Sequence, residues 1–206
     1  MNSAPINPRR TALIVVDLQN DFLADDGAYA RGGARPEAAL ALPDRVAEVA
    51  RSLREAAGMV TGSQFTLWPD TAGEPMIAPH LHSLRPFLRR GDFAPGSRGQ
   101  QFVARIAPLI DVTVCKVAYS AFFNTQLDWV LRHAGIDTVA VCGIVTSGGV
   151  ASTARDAHMR EYRTLVLGDG CAVSSQAAHD AALADLKSVC EVMDCGEFTA
   201  LIRARA

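Results

Sequence analysis

The sequence has no CxxC pair, no GxGxxG turn after its first apolar run, no Walker A loop, no HExxH and no GxSxG elbow. Zinc-ribbon and thioredoxin-type sites, dinucleotide and nucleotide binding, zinc-protease and serine-hydrolase chemistry therefore lack their minimum parts. Long hydrophobic runs are missing as well, because ALIVV and TVAVCG fall far below the roughly 18 residues a membrane span needs. The opening MNSAPINPRR is polar and broken by two prolines, so we expect no signal peptide, no transmembrane helix and no membrane partner. Nor is there an excess of one charge: 20 Lys and Arg stand against 22 Asp and Glu, a formal net charge of -2. That balance leaves no electrostatic footprint for nucleic acid. The one short basic cluster, Arg85, Arg89 and Arg90, meets an anionic substrate or a neighbouring subunit or, the preferred reading, is a solvated basic face.

What is present is an ordinary folding composition, 49% hydrophobic and 20% charged over 206 residues, which points to a single domain over 1–206. The five cysteines form an odd set, with Cys115 and Cys142 inside apolar runs, and read as reduced core residues of a cytoplasmic protein. Short apolar runs alternate with amphipathic stretches, the pattern of a parallel sheet covered by helices, so the fold class is α/β, a three-layer α/β/α domain. Strands are expected at 11–17, 59–64, 112–116, 138–143, 164–168 and 189–193. Helical spacing joins Val46, Val49, Leu53 and Ala57, and again Leu127, Val130 and Leu131. Ser147 is placed to cap a helix to about residue 162, Ser174 or Ser175 one to about 187, and Phe198, Leu201 and Ile202 mark a short terminal helix. Residues 1–10 read as an N-terminal tail, and the Pro-, Gly- and Arg-rich stretch 65–100 as a long excursion with one short helix that shapes a binding site or a subunit contact.

In an open parallel sheet the ligand sits at the carboxyl ends of the strands, so polar residues closing apolar runs are the ones to inspect. Asp17 closes TALIVVD, Gln64 closes MVTGSQ, Lys116 closes VTVCK, and GIVTSGG leads from TVAVC into a helix. Asp17 serves either as a cap at a strand end or as a catalytic carboxylate. A lysine ending a buried strand must snorkel or pair with a carboxylate, and an Asp17–Lys116 pair satisfies both charges. The same pair is an acid–base device, since the ammonium favours the ionised carboxylate and burial favours the neutral one. The GIVTSGG turn either presents backbone N–H groups to an oxyanion or substrate carboxylate or is a glycine turn made for packing. Phe22, Trp68 and Tyr119 are candidates to line a pocket, or else core or interface residues. His80 and His82 have no carboxylate partners at metal-site spacing and read as a solvated loop, while His133, His158 and His179 lie on helices.

Three segments in order, TALIVVDLQNDF, then KVAYSAFFNTQLDWVLRHAGIDTVAVCGIVTSGGVASTARDAHMREY, then VLGDGCA, make the chain resemble the isochorismatase-like hydrolase superfamily, which also holds nicotinamidases, N-carbamoylsarcosine amidase and ureidoacrylate-type amidases. The likeness runs from about residue 11 to about 193. It implies a six-stranded parallel sheet of Rossmann-like topology, Asp17 and Lys116 in the catalytic set, and a non-proline cis peptide near Ile144-Val145. It also exposes a departure: amide-cleaving members carry a nucleophilic cysteine where this chain has Gly149, and glycine forms no acyl-enzyme. Neither Cys142 nor Cys171 falls at that position.

Isochorismatases proper can have glycine there, because vinyl-ether hydrolysis needs a proton donor and no sulfur. The resemblance then implies Asp17 as the acid, Lys116 holding its carboxylate or a substrate oxygen, and Gln64 at the substrate-binding glutamine of phenazine-pathway members. Backbone amides around Val145 and Gly149 would receive an oxyanion or carboxylate. SQFTLWPD stands where the nicotinamidase branch has its Asp-x-His metal grouping, so neither metal nor cofactor is expected. The leading expectation is a non-covalent hydrolase of a small polar or carboxylate substrate, of the vinyl-ether type. Two alternatives stay open: a binding protein that has lost catalysis, and an amidase using water in place of the thiol. The resemblance further implies a homo-oligomer, dimer or tetramer.

Overall fold

In the computed structural model, which describes residues 5–204, the run TALIVV is β1 (Thr11–Val16), every residue of it buried. The other strands are β2 (Met59–Phe65), β3 (Val112–Lys116), β4 (Thr138–Ile144), β5 (Arg163–Ala172) and β6 (Glu191–Met193). They form one sheet in the order β3-β2-β1-β4-β5-β6, with every pairing parallel. Central β1 and β4 are buried throughout and rich in β-branched residues, as strands covered on both faces should be. Edge strand β3 instead alternates, with Val114 and Lys116 turned inward and Thr113 and Cys115 exposed. Cys115 is therefore a surface thiol and not the core residue expected from its apolar run.

The helices are α1 (Asn20–Leu23), α2 (Ala28–Arg31), α3 (Leu42–Glu55), α4 (Pro79–His82), α5 (Leu127–His133), α6 (Ala151–Met159), α7 (Gln176–Leu186) and α8 (Cys195–Arg203). Helices α3 and α8 pack together on one face of the sheet, α6 and α7 on the other. Val46, Val49 and Leu53 form the buried stripe of α3, each stabilising the fold by about 1.5–3 kcal/mol. Ala57, read as the next member of that stripe, lies past the helix end in a left-handed conformation (φ 62°), where its N–H and that of Gly58 close the last turn onto Arg54 and Leu53. No helix among the described residues is long and apolar enough to cross a membrane.

Other boundaries moved for identifiable reasons. β5 runs on to Ala172, past the expected end at residue 168, because a register shift against β4 re-pairs Gly143 with Cys171. β6 begins two residues late, since the amides of Val189 and Cys190 are used by Leu186 at the end of α7. Ser175 caps α7 as expected, accepting from the Ala178 amide. Ser147 caps nothing: it is exposed within a π-turn, Thr146–Val150, that leads into α6, and α6 ends at Met159. Residues 5–10 are no loose tail, since Ile6 is buried and Pro8–Arg10 make a helical turn ahead of β1; residues 1–4 lie outside the described residues.

The strand order sets the site. After β3 the chain crosses to the other side of β1, so the connections leaving β1 and β4 diverge and open a crevice at their carboxyl ends. Asp17 and the Gly143–Val150 turn stand at that switch point.

Candidate active site

Asp17 follows β1 in a left-handed backbone conformation (φ 56°), one that aspartate tolerates better than β-branched residues. Its Oδ2 lies 2.7 Å from Lys116 Nζ, and its Oδ1 accepts a 2.7 Å hydrogen bond from Ser63 Oγ. Both charged residues are nearly inaccessible, Asp17 at 4% and Lys116 at 2%. Lys116 gets there because it shares the inward face of β3 with Val114. Its ammonium also donates to the carbonyls of Ala118 and Tyr119, each at 3.0 Å, so all three protons have partners. Lys116 thus holds the Asp17 carboxylate and has no proton left for a substrate oxygen. Burial pushes the Asp17 carboxyl above its ordinary range, while the Lys116 ammonium and the Ser63 hydroxyl pull part of the way back.

Across from this pair, the Ile144-Val145 peptide is cis and Thr146–Val150 turns into α6. Buried Thr146 meets His179 Nδ1 on α7 at 2.9 Å, tying the turn to the helix beside it. Gly143, at φ 116°, is forced: a Cβ there would lie 2.1 Å from the Val16 carbonyl oxygen. Gly143→Ala is accordingly expected to destabilise the protein by at least about 2 kcal/mol, seen as an earlier urea midpoint. A midpoint unchanged from wild type would mean this approach of β4 to β1 is not needed.

Gly149 needs no such conformation, but a Cβ on it would stand 3.5 Å from Asp17 Oδ2, and 2.9 Å and 3.0 Å from Val16 Cγ1 and the Ile144 oxygen. The Gly149 backbone therefore faces the carboxylate directly.

These groups form the floor of a cavity of about 490 Å³. Asp17, Lys116, Phe22, Tyr119, Val145 and Gly149, all expected from the sequence, line it. Gln64 and Trp68 do not. Side chains alternate along β2, so Ser63 and Phe65 face the site and Gln64 turns away, toward Cys115 at 4.0 Å. Trp68 is half exposed, outside the cavity wall.

The upper wall is the excursion after β2, seated on an aromatic cluster. Phe22 packs on Tyr29 and Phe93 at 4.6 Å each, and Tyr29 on Phe87 at 5.1 Å. The segment DLQNDF fastens it. Buried Gln19 donates to the carbonyls of Phe65 (2.9 Å) and Gln100 (2.8 Å) and accepts from the Phe65 amide (2.8 Å). Asp21 accepts from the amides of Ala28 and Phe93 at 3.1 Å and 2.6 Å. One motif thus supplies both the buried Asp17 carboxylate and the clamp for the wall over it.

The Arg85, Arg89, Arg90 cluster separates. Arg90 pairs with Glu74 and Arg89 is exposed, but Arg85 turns into the cavity wall, donating to Tyr29 Oη at 2.8 Å and Tyr119 Oη at 3.2 Å. Sequence reasoning missed Ser63 and Tyr29, and it preferred a solvated face for Arg85 over the substrate contact it also offered; the two-residue period of β2 carried a signal for Ser63.

No cysteine lines the cavity. Cys142 on β4 and Cys171 on β5 are buried, and desolvation pushes the Cys142 thiol well up and that of Cys171 to about 12. Neither is a thiolate near neutral pH. His80 is exposed and His82 bonds to the Leu88 carbonyl, and among the described residues no group of three or more His, Cys, Asp or Glu gathers to hold a metal ion.

Comparison with known proteins agrees with this architecture. The chain is similar to the ureidoacrylate amidohydrolase RutB of Methylorubrum extorquens, 35% identical over 170 residues that cover 77% of this chain and 68% of that protein. It is also similar to the RutB of Klebsiella pneumoniae, 35% identical over 188 residues covering 83% and 79%. Among solved structures, a cysteine hydrolase from Pseudomonas syringae pv. phaseolicola superposes with a TM-score of 0.85 at 28% identity, all of each chain being covered. Residues 11–197, from the first residue of β1 into α8, match the Isochorismatase domain, and the chain belongs to that family of hydrolases.

Proposed function

We propose that this protein hydrolyses a C–N bond in a small amide, with Asp17 as general base and a water molecule where thiol-bearing relatives use cysteine. The observation that carries this reading is the bare Gly149 backbone facing Asp17 Oδ2 at the floor of the cleft. The relatives named as amidohydrolases support a C–N bond over the vinyl ether expected from the sequence.

In this reading the ionised Asp17 takes a proton from water as the water oxygen bonds to the substrate carbonyl carbon. Charge develops on the carbonyl oxygen, which the backbone at Val145 and Gly149 receives. The tetrahedral adduct collapses with cleavage of the C–N bond, and Asp17 returns its proton to the leaving nitrogen. A carboxyl lifted above its ordinary range suits both halves, being a stronger base when ionised and a competent acid once loaded. Lys116 acts through Asp17, as a positioning residue.

The raised Asp17 carboxyl equally favours a second reading, protonation of an enol-ether carbon followed by water addition. Turnover of a panel of ureido acids and simple amides, set beside isochorismate and related enol ethers, separates the two. Amide hydrolysis by the wild type is expected, and Gly149→Cys, with Val16 giving way to the new Cβ, is expected to raise it about tenfold or more, near 1.4 kcal/mol off the barrier. Turnover of enol ethers alone would hand the site to the second reading. Binding across the panel with no turnover would make the protein a ligand-binding member of its family.

A further inference from the structure

Among the described residues, three charged side chains line the cavity, Asp17, Lys116 and Arg85. The first two neutralise each other at 2.7 Å, which leaves the guanidinium as the net charge of the site. Among the described residues no carboxylate lies within ion-pair distance of Arg85. Its two side-chain partners are phenol oxygens, which orient it without cancelling its charge. Burial holds the Tyr29 hydroxyl above its ordinary range, so it stays neutral and accepts the bond. Two of the five guanidinium donors are used, one at Nε and one on a terminal nitrogen, so three remain.

Such an arrangement is set up for an anion. The residue is fixed by a rigid aromatic on the α1–α2 side (Tyr29) and by the residue whose carbonyl binds Lys116 (Tyr119), so its place relative to the Asp17–Lys116 pair is defined. The rest of the wall is apolar, with Phe22, Phe65, Leu67, Ile77 and Leu88 among its residues. A planar fork with parallel N–H groups matches a carboxylate, and a single positive charge balances a monoanion.

Resting on the C–N hydrolase reading, we infer that Arg85 anchors the carboxylate of the substrate, an amide whose carboxylate is joined to the reacting carbonyl through an apolar body filling the aromatic-lined cavity. Arg85 is a specificity-determining residue, and the substrate class is an apolar-bodied monocarboxylate.

Equilibrium binding tests this without requiring turnover. Calorimetric titration would compare 3-phenylpropanoate, the uncharged 3-phenylpropan-1-ol and inorganic phosphate on the wild type, Arg85→Gln and Arg85→Lys. The wild type is expected to bind the carboxylate roughly tenfold or more tighter than the alcohol. Arg85→Gln should erase that preference while leaving affinity for the alcohol within about twofold, which also certifies the fold, and Arg85→Lys should restore part of it. Equal affinity of the wild type for carboxylate and alcohol, a preference that survives Arg85→Gln, or phosphate binding tighter than the carboxylate would each overturn the assignment. A preference lost in Arg85→Gln in a protein that hydrolyses no amide sinks the hydrolase reading alone. Amide hydrolysis that ignores both the substrate's charge and Arg85 sinks this inference alone.

Discussion

Asp17→Asn is expected to lower kcat for the best amide substrate by roughly 10²–10⁴-fold, the range a positioned acid–base group contributes. The change is nearly isosteric: the asparagine oxygen can still accept from Lys116 and its amide nitrogen can donate to the Ser63 hydroxyl, in place of the present 2.7 Å contacts to the two carboxylate oxygens, so the site keeps its shape while losing the carboxylate's charge and its titratable proton. Circular dichroism should stay close to wild type while turnover collapses, and the thermal midpoint should fall, because the buried Lys116 ammonium keeps its oxygen partners but loses its counter-charge. The pH profile supplies a second readout. For a general base, kcat/KM rises with pH as the carboxyl ionises, and because burial lifts that carboxyl the limb should sit above the ordinary carboxylate range. The limb should vanish in Asp17→Asn. Full activity in the variant would remove the mechanism, and a limb that falls with rising pH would move Asp17 to the role of acid required for enol ethers.

Lys116→Met carries the largest expected loss of stability. Methionine fits the path of the lysine stem, but the Asp17 carboxylate is then left almost fully buried with Ser63 as its side-chain partner. Removing one member of a buried ion pair costs about 3–5 kcal/mol, because the survivor remains desolvated without its counter-charge. Urea unfolding at neutral pH should show that loss as a lower midpoint. Its pH dependence follows from the direction of the Asp17 shift. Without the ammonium the folded-state pKa rises further above the unfolded value near 3.8, so between the two the folded protein binds more protons than the unfolded one. Stability of the variant therefore falls as pH climbs through that window, and its deficit against wild type shrinks toward acid. A deficit under about 1 kcal/mol, or one flat with pH, would show that water or another group replaces the lysine.

Much of this was readable from the residues because the physics left few choices. A lysine at the end of an apolar strand has to be neutralised, and the carboxylate closing the first apolar run could do it. Strands β1 and β4 announce themselves as unbroken apolar runs because both faces are covered. The misplacements arose where local pattern is degenerate. An isolated strand does not declare which of its two faces meets a given neighbour, so Gln64 and Ser63 were equally eligible on β2, and the pairing of β2 with β1 chose Ser63. The fifth strand was expected to end at residue 168, whereas β5 continues to Ala172 past a register shift against β4. The fate of Arg85 depended on contacts with Tyr29, 56 positions earlier, and Tyr119, 34 positions later, and no spacing rule links residues so far apart.

The Gln19 and Asp21 side chains grip the excursion chiefly by main-chain atoms: the Phe65 amide and carbonyl, the Gln100 carbonyl and the Phe93 amide. Those atoms exist whatever residue occupies the position. The roof can consequently be re-upholstered, one side chain at a time, without loosening its hinges or disturbing the Asp17–Lys116 pair below, so the cavity's ligand preference can change in such a scaffold while its charged floor stays put.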